Sequence, residues 1–309
     1  MNYSKYSRII FLAVVLALVW FITRETTPTS KPKNFDRHRA YLDVVAQGEN
    51  GPRTPGSESH AQTRKYIMTE LAMAGWDVVE YEFVDPITST KGYNLVASRS
   101  ASPKKIILGA HYDSRMQADN ETDQVLRSQP VPGANDGASG VAVLLEIGRT
   151  LDRDITNVDL VFFDLEDQGG IDGFDWILGS RAFVDRMEEN PAAMVLLDMV
   201  GNKDSIFHFE ANSDNKLRAQ IWDTAHSLGH ADQFPMEEKF AVLDDHIPFI
   251  EKGIPAVDII DLDDPNWHKL SDDTESISED TLFAVGDTVL NWIRNYNVCL
   301  IKQNCKDNG

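Results

Sequence analysis

Apolar residues recur at helical spacing over 35–46 and 59–74, and Gly75 stops the second stretch. Residues 76–84 and then 93–98 alternate apolar and polar, which predicts two strands in a hairpin-like opening. A short apolar run at 105–110 predicts a buried strand, and 158–165 predicts another. Between them, 137–151 is a strong amphipathic helix with Val141, Leu144, Leu145 and Gly148 on one face. Further on, helices are predicted over 176–189, 216–228, 246–252 and 279–296, and strands over 193–200, 206–211 and 254–260. Strands alternating with helices imply an α/β fold. The expectation is a single domain with a central twisted, mixed but mostly parallel β-sheet, flanked by helices on both faces.

The first residues follow another logic. Lys5 and Arg8 precede a continuous apolar run over 9–22, and a polar stretch with two prolines follows. The run is shorter than the roughly 20 residues of a standard spanning helix. It reads as a signal anchor or a signal-peptide core, and the lack of a small-x-small cleavage site favours the uncleaved anchor. The expected organisation is a cytoplasmic stub over 1–8, the apolar element over 9–23, a linker over 24–34 and a folded domain over 35–309. The domain is then exported: held at the membrane by this segment, or secreted if the segment is cleaved. Cys299 and Cys305 are the only cysteines, and an oxidising compartment allows them to pair, with two free thiols as the alternative.

Composition narrows the class. With 42% hydrophobic and 25% charged residues, the chain is that of a folded protein. A net charge of −20 excludes nucleic acid as a partner, which needs a basic footprint. The acidity mainly serves solubility, although it would also suit cationic peptides.

Acids and histidines gather where strands should end. His111 and Asp113 close the strand from 105, Glu166 and Asp167 the one from 158, and Asp198 lies near the end of the one from 193. Trp267 and His268 follow the strand from 254 by one loop, and Asp136 precedes the strong helix. Alone, Asp136 reads as a helix cap. Four strand ends carrying such groups are harder to explain that way, because active sites of open α/β sheets lie at the carboxyl ends of strands. Asp136, Asp167 and His268 supply two carboxylates and one imidazole, which suits a catalytic zinc with one open position.

At these positions the chain resembles the animal-type, zinc-dependent glutaminyl cyclases, a group related to the zinc aminopeptidases. The motifs are Gly-Pro-Arg-Thr-Pro-Gly (51–56), Gly-Ala-His-Tyr-Asp-Ser (109–114), Gly-Ala-Asn-Asp-Gly-Ala-Ser-Gly (133–140), Phe-Phe-Asp-Leu-Glu-Asp (162–167), Gly-Ser-Arg (179–181), Leu-Leu-Asp-Met-Val-Gly (196–201), Asp-Asp-His-Ile-Pro-Phe (244–249) and Trp-His (267–268). The last two point most narrowly to the cyclases. The Glu-Asp form at 166–167 looks like the bacterial branch, which makes the expected location the periplasm.

The resemblance implies one zinc per chain on Asp136, Asp167 and His268, with Glu166 as proton shuttle and Asp198 and Asp244 as an acidic hydrogen-bonded pair beside it. Trp267, Trp176 and His111 would face the substrate. Where animal members place a Phe before the Trp-His pair, this chain has Asp263-Asp264-Pro265-Asn266, so that side must be built differently. The implied partners are peptides or proteins beginning with Gln, or with Glu, and the expected unit is a monomer. Two rivals stand beside this. His111, Asp136, Asp167, Asp198 and His268 formally complete the ligands of a two-zinc aminopeptidase with Glu166 as its base. A non-enzymatic interaction domain on the same fold would be expected to lack some of these groups, and none is missing.

Overall fold

The structure, a computed structural model, describes residues 34–100 and 105–302, with side chains described to residue 296. Helices α1 (Arg37–Gly48) and α2 (Glu58–Met73) come first, capped by the side chains of Asp36 and Ser57. Strands β1 (Asp77–Val84) and β2 (Lys91–Ser98) pair antiparallel as the predicted hairpin. β3 (Ile106–His111), a short helix α3 (Gln124–Arg127), α4 (Ala138–Thr150) and β4 (Val158–Phe163) follow. The chain continues with α5 (Leu178–Arg186), β5 (Ala193–Asp198), β6 (Phe209–Glu210), α6 (Asn215–Leu228) and β7 (Glu238–Phe240). It closes with α7 (Ile247–Glu251), β8 (Ala256–Ile260), a 3-10 turn at Thr274–Ser276 and α8 (Glu279–Lys302).

The main sheet has the order β1-β2-β4-β3-β5-β8. β4, β3, β5 and β8 run parallel, and β2 joins them antiparallel, so the sheet is mixed and mostly parallel as expected. Side-chain alternation splits the core in two. Ile106, Leu108 and Ala110 of β3 face the larger cluster with α1, α2, α4, α6 and α8, whereas Ile107 faces a smaller cluster that includes Phe249, Val184 and Met194. α4 is buried almost all round, and Gly148 lets it lie close against Leu71, Leu160 and Trp76.

Three expected elements differ. The helix predicted from 176 begins only at Leu178, after Ile177 takes a left-handed conformation, so Trp176 is a loop residue. The strand predicted over 206–211 shrinks to Phe209–Glu210. Phe207 is apolar because it packs on Phe234 in the core, and not because it sits in a ladder. β7 and α3 were not expected. The apolar run at 9–22 and the Cys299–Cys305 pairing lie outside the described residues and side chains. Among the described residues, no helix is long and apolar enough to cross a membrane.

Candidate active site

Every candidate residue of the metal set and its neighbours lies in the loop layer at the carboxyl ends of β3, β4, β5 and β8. The turn after β4 is shaped by one buried carboxylate. Asp113 accepts from the backbone N–H of Glu166 at 3.1 Å and of Asp167 at 3.3 Å, and from Gln168 Nε2 at 2.9 Å. The loop before α4 is shaped in the same way, since Asp272 accepts from the N–H groups of Asn135 at 2.7 Å and Asp136 at 3.2 Å. Beneath that loop the buried guanidinium of Arg53 donates to the carbonyls of Tyr112 at 2.8 Å, Pro132 at 3.0 Å and Gly133 at 2.5 Å. Gly137 has no alternative here: a Cβ would stand 2.3 Å from His111 Nε2.

These loops bring the proposed ligands together. His268 Nε2 lies 3.1 Å from Asp167 Oδ1 and 3.8 Å from Asp136 Oδ2. A tetrahedral site with bonds of roughly 2.0–2.1 Å has donor–donor edges of about 3.4 Å, so the set fits zinc. The surrounding charge fits too. Burial lowers the proton affinity of the His268 ring, but Asp167 and Asp119 more than offset it and hold the ring up at about 10. A field that strong toward a proton also favours a dication at the same place. Asp136, His111 and Asp198 form a second set whose donor atoms lie within 4.8 Å of one another.

Glu166 is buried beside this centre, with 7% of its surface exposed. Burial pushes its carboxyl well above the usual range; His111 opposes this, and Asp244, Asp167 and Asp245 add to it. Burial likewise pushes Asp198 up to about 7, against the pull of His111 and with help from Asp244.

Three expectations about neighbours change. The His111 ring has no open face. It is 1% exposed, and its ring nitrogens lie 3.4 Å from Asp113, 3.0 Å from Asp136 and 3.1 Å from Asp198. Those carboxylates outweigh its burial and hold the ring well above its ordinary proton affinity. Nor do Asp198 and Asp244 hydrogen-bond to each other among the described residues. Asp198 is taken by His111, and Asp244 lies instead against Asp258 of β8. The stretch 263–266 turns inward: Asp264 accepts from Asn135 Nδ2 at 2.7 Å and from Asn202 Nδ2, tying this loop to the one before α4.

Both tryptophans reach the site. The Trp267 ring lies 4.1 Å from the His268 ring, tilted by 39°, and the Trp176 ring lies nearly parallel to it at 6.2 Å and 11°. Trp176 lies flat on the backbone of Gly169, where a Cβ would come within 2.1 Å of the indole. Residues that sequence reasoning missed complete the surround: Gln168, Asp272, Arg115, Asp119 and Asn120. No local spacing announces them, because each acts by caps and carbonyl contacts between loops.

Known proteins share this fold. Residues 94–293 match peptidase family M28. The fold superposes on Tannerella forsythia glutaminyl cyclase with a TM-score of 0.81 and 33% identity, covering 85% of this chain and 99% of that one. A leucine aminopeptidase precursor from Bacteroides thetaiotaomicron gives a TM-score of 0.80 and 33% identity over 86% of this chain and 99% of that one. In sequence, the chain is 29% identical over 265 residues to the bovine glutaminyl-peptide cyclotransferase-like protein, which spans 72% of this chain and 66% of that protein. The chain therefore belongs to peptidase family M28 and, within it, to the zinc-dependent glutaminyl cyclases related to the aminopeptidases.

Proposed function

We propose that the chain is a glutaminyl-peptide cyclotransferase, which converts the N-terminal glutamine of peptides and proteins to pyroglutamate and releases ammonia. The observation that carries this reading is the enclosure of the Asp136-Asp167-His268 centre. Both indoles pack against His268, and the raised carboxyl of Glu166 stands beside it. Zinc held by Asp136, Asp167 and His268 supplies a Lewis acid for the γ-carbonyl oxygen of the substrate.

The chain's own residues do the rest. The reaction is intramolecular, so the pocket mainly selects a bent conformer. Trp267 and Trp176 wall that conformer and keep water from competing. The α-ammonium first gives one proton to solvent, and Glu166 takes a second from the neutral α-amine as the bond from the α-nitrogen to the side-chain carbonyl carbon forms. It gives the proton to the amide nitrogen as the old C–N bond breaks and ammonia leaves. A carboxyl raised toward neutrality serves both transfers. Asp244, Asp167 and Asp245 add negative charge near Glu166 that favours its protonated form, and Asp198 lies beside Asp244 and His111 in the same buried acidic group.

A second reading is a two-zinc aminopeptidase, favoured by the set His111, Asp136 and Asp198. Mass spectrometry of a Gln-initiated peptide after incubation separates the two. Loss of ammonia and one zinc per chain support the cyclase. Loss of the first residue and two tightly held zinc ions overturn it. The proposal extends to place. The apolar run over 9–22 supports export, with the domain anchored on the periplasmic side and acting as a single chain.

A further inference from the structure

Residues 115–120 of the loop between β3 and α3 carry no motif of the family resemblance, yet they touch the candidate zinc centre at three points. His268 Nδ1 lies 3.2 Å from Asp119 Oδ1. Arg115 grips the same carboxylate as a fork, with Nε at 3.0 Å and Nη2 at 2.5 Å. The remaining arm of the guanidinium, Nη1, donates to the backbone carbonyl of Asp167 at 2.9 Å and reaches its Oδ1 at 3.4 Å. The face of the guanidinium lies 4.8 Å from the Trp176 ring. One residue further on, the N–H of Asn120 donates to the carbonyl of His268 at 3.2 Å, and its side chain donates to that of Trp267 at 3.1 Å. His268 has φ of 56°, a left-handed conformation rare outside glycine, so its loop is held from without.

We propose that Asp119 and Arg115 are positioning residues for the metal: Asp119 fixes the His268 ring with Nε2 toward zinc, and Arg115 keys that carboxylate to Asp167 and to the Trp176 wall. This rests on the assignment of Asp136, Asp167 and His268 as ligands. The chemistry is that of a carboxylate behind a ligating imidazole. Accepting from Nδ1–H selects the tautomer, locks the ring plane and raises the basicity of the other nitrogen. The planar fork of Arg115 can serve two carboxylates and an indole face together, which an ammonium cannot.

Zinc affinity, measured by competition with a chromogenic chelator on the full chain, tests this apart from turnover. Asp119→Ala should weaken zinc about 10–100-fold. Asp119→Asn should lose less, because its amide oxygen still accepts from Nδ1–H. Arg115→Lys should also weaken zinc, through Asp167. The metal-free melting temperature of the Asp119 variants should stay near wild type, since that side chain is 38% exposed. If Arg115→Lys fails to fold, the two Asp119 variants decide the matter. Wild-type zinc affinity in Asp119→Ala, with zinc lost in His268→Ala, overturns the positioning role and leaves the ligand assignment standing. Zinc retained in His268→Ala overturns the assignment itself.

Discussion

Asp136, Asp167 and His268 on one side of Glu166, and Asp244, Asp245 and Asp258 on the other, are equally buried but differ in where their lone pairs point. In the first cluster His111 engages Asp136 Oδ1 while Oδ2 turns toward His268, and Asp167 Oδ1 is shared between Arg115 at 3.4 Å and His268 Nε2 at 3.1 Å. In the second, neither carboxyl oxygen of Asp258 has a hydrogen-bond donor among the described residues, and Asp245 has only the Ser180 hydroxyl nearby. Burial first, and Asp244 next, push both groups well above the usual carboxylate range. His246 does not bridge the gap. Its Nε2 is 3.2 Å from Glu210, and its Nδ1 is 3.7 Å from Asp258, beyond hydrogen-bond reach. On the proposed ligand assignment a dication would resolve the first cluster, and the raised carboxyls of the second favour protons there. Counting carboxylates does not separate the two, whereas the direction of their partners does.

The largest effect should come from breaking the first cluster. His268→Ala and Asp136→Asn should each lose zinc, and turnover with it. Elemental analysis checks this, and stoichiometric zinc in both variants would move the metal elsewhere. Glu166→Gln comes next. It keeps the shape of the side chain without its basicity, and it should cost about 10²–10⁴-fold in kcat with zinc retained. Near wild-type turnover in that variant would remove Glu166 from the proton path.

Much of this contrast could be read in the sequence, and the unread part has a physical reason. β3, β4, β5 and β8 were legible because burial makes them short apolar runs, and α4 because its apolar residues recur at helical spacing. Asp136, Glu166, Asp167 and His268 were legible because they end or begin those elements within motifs. The roles of His111, Asp258 and Asp119 were not. Nothing in the alternation of β8 distinguishes a buried acid at 258 from a solvated one, and only the packing of α7 over that face buries it. His111 was read as facing substrate because its strand end is the right place. Its burial among three carboxylates depends on loops more than 20 residues away in sequence, up to Asp198, 87 positions on. Trp176 reached the site because its helix starts later than its apolar pattern suggests.

The far edge of the second cluster should show itself in acid. Burial raises the Glu210 carboxyl, but donors from His246, Asn212 and Val242 more than offset this and hold it down at about 2. A carboxylate depressed on folding contributes stability that is present above its unfolded value, roughly 4.3, and is lost as pH falls toward the folded value. That gap corresponds to about 3 kcal/mol. The gap in urea stability between wild type and Glu210→Gln should therefore narrow as pH falls from about 4.5 to about 2. The raised acids, Asp198 among them, carry the opposite slope and cancel in the difference. A gap that stays constant with pH would show that the network does not hold Glu210 ionised.

A smaller effect is expected at the pocket wall. Trp267→Ala removes an aromatic contact worth about 0.5–1.5 kcal/mol beyond its buried area. It should lower kcat/KM several-fold or more with zinc in place, as read by kinetics and metal content on one preparation. Zinc loss equal to that of His268→Ala would make the indole a support for the loop rather than a wall.

The smallest effect should be the most informative for the contrast itself. A protonated carboxyl and a carboxamide have nearly the same shape, and each offers one acceptor and at least one donor. If Asp258 carries a proton, Asp258→Asn replaces one neutral group by another. It should then cost about 1 kcal/mol or less of stability, the scale of one altered neutral hydrogen bond, and leave zinc content unchanged. The same substitution at Asp136 removes a ligand and should lose the metal. Two Asp→Asn changes in one loop layer thus differ in outcome only because one site holds a cation and the other a proton. Should Asp258→Asn shed metal, or lose several kcal/mol of stability, Asp258 would be an ionised carboxylate with a cationic partner, and the division between the two clusters would fail.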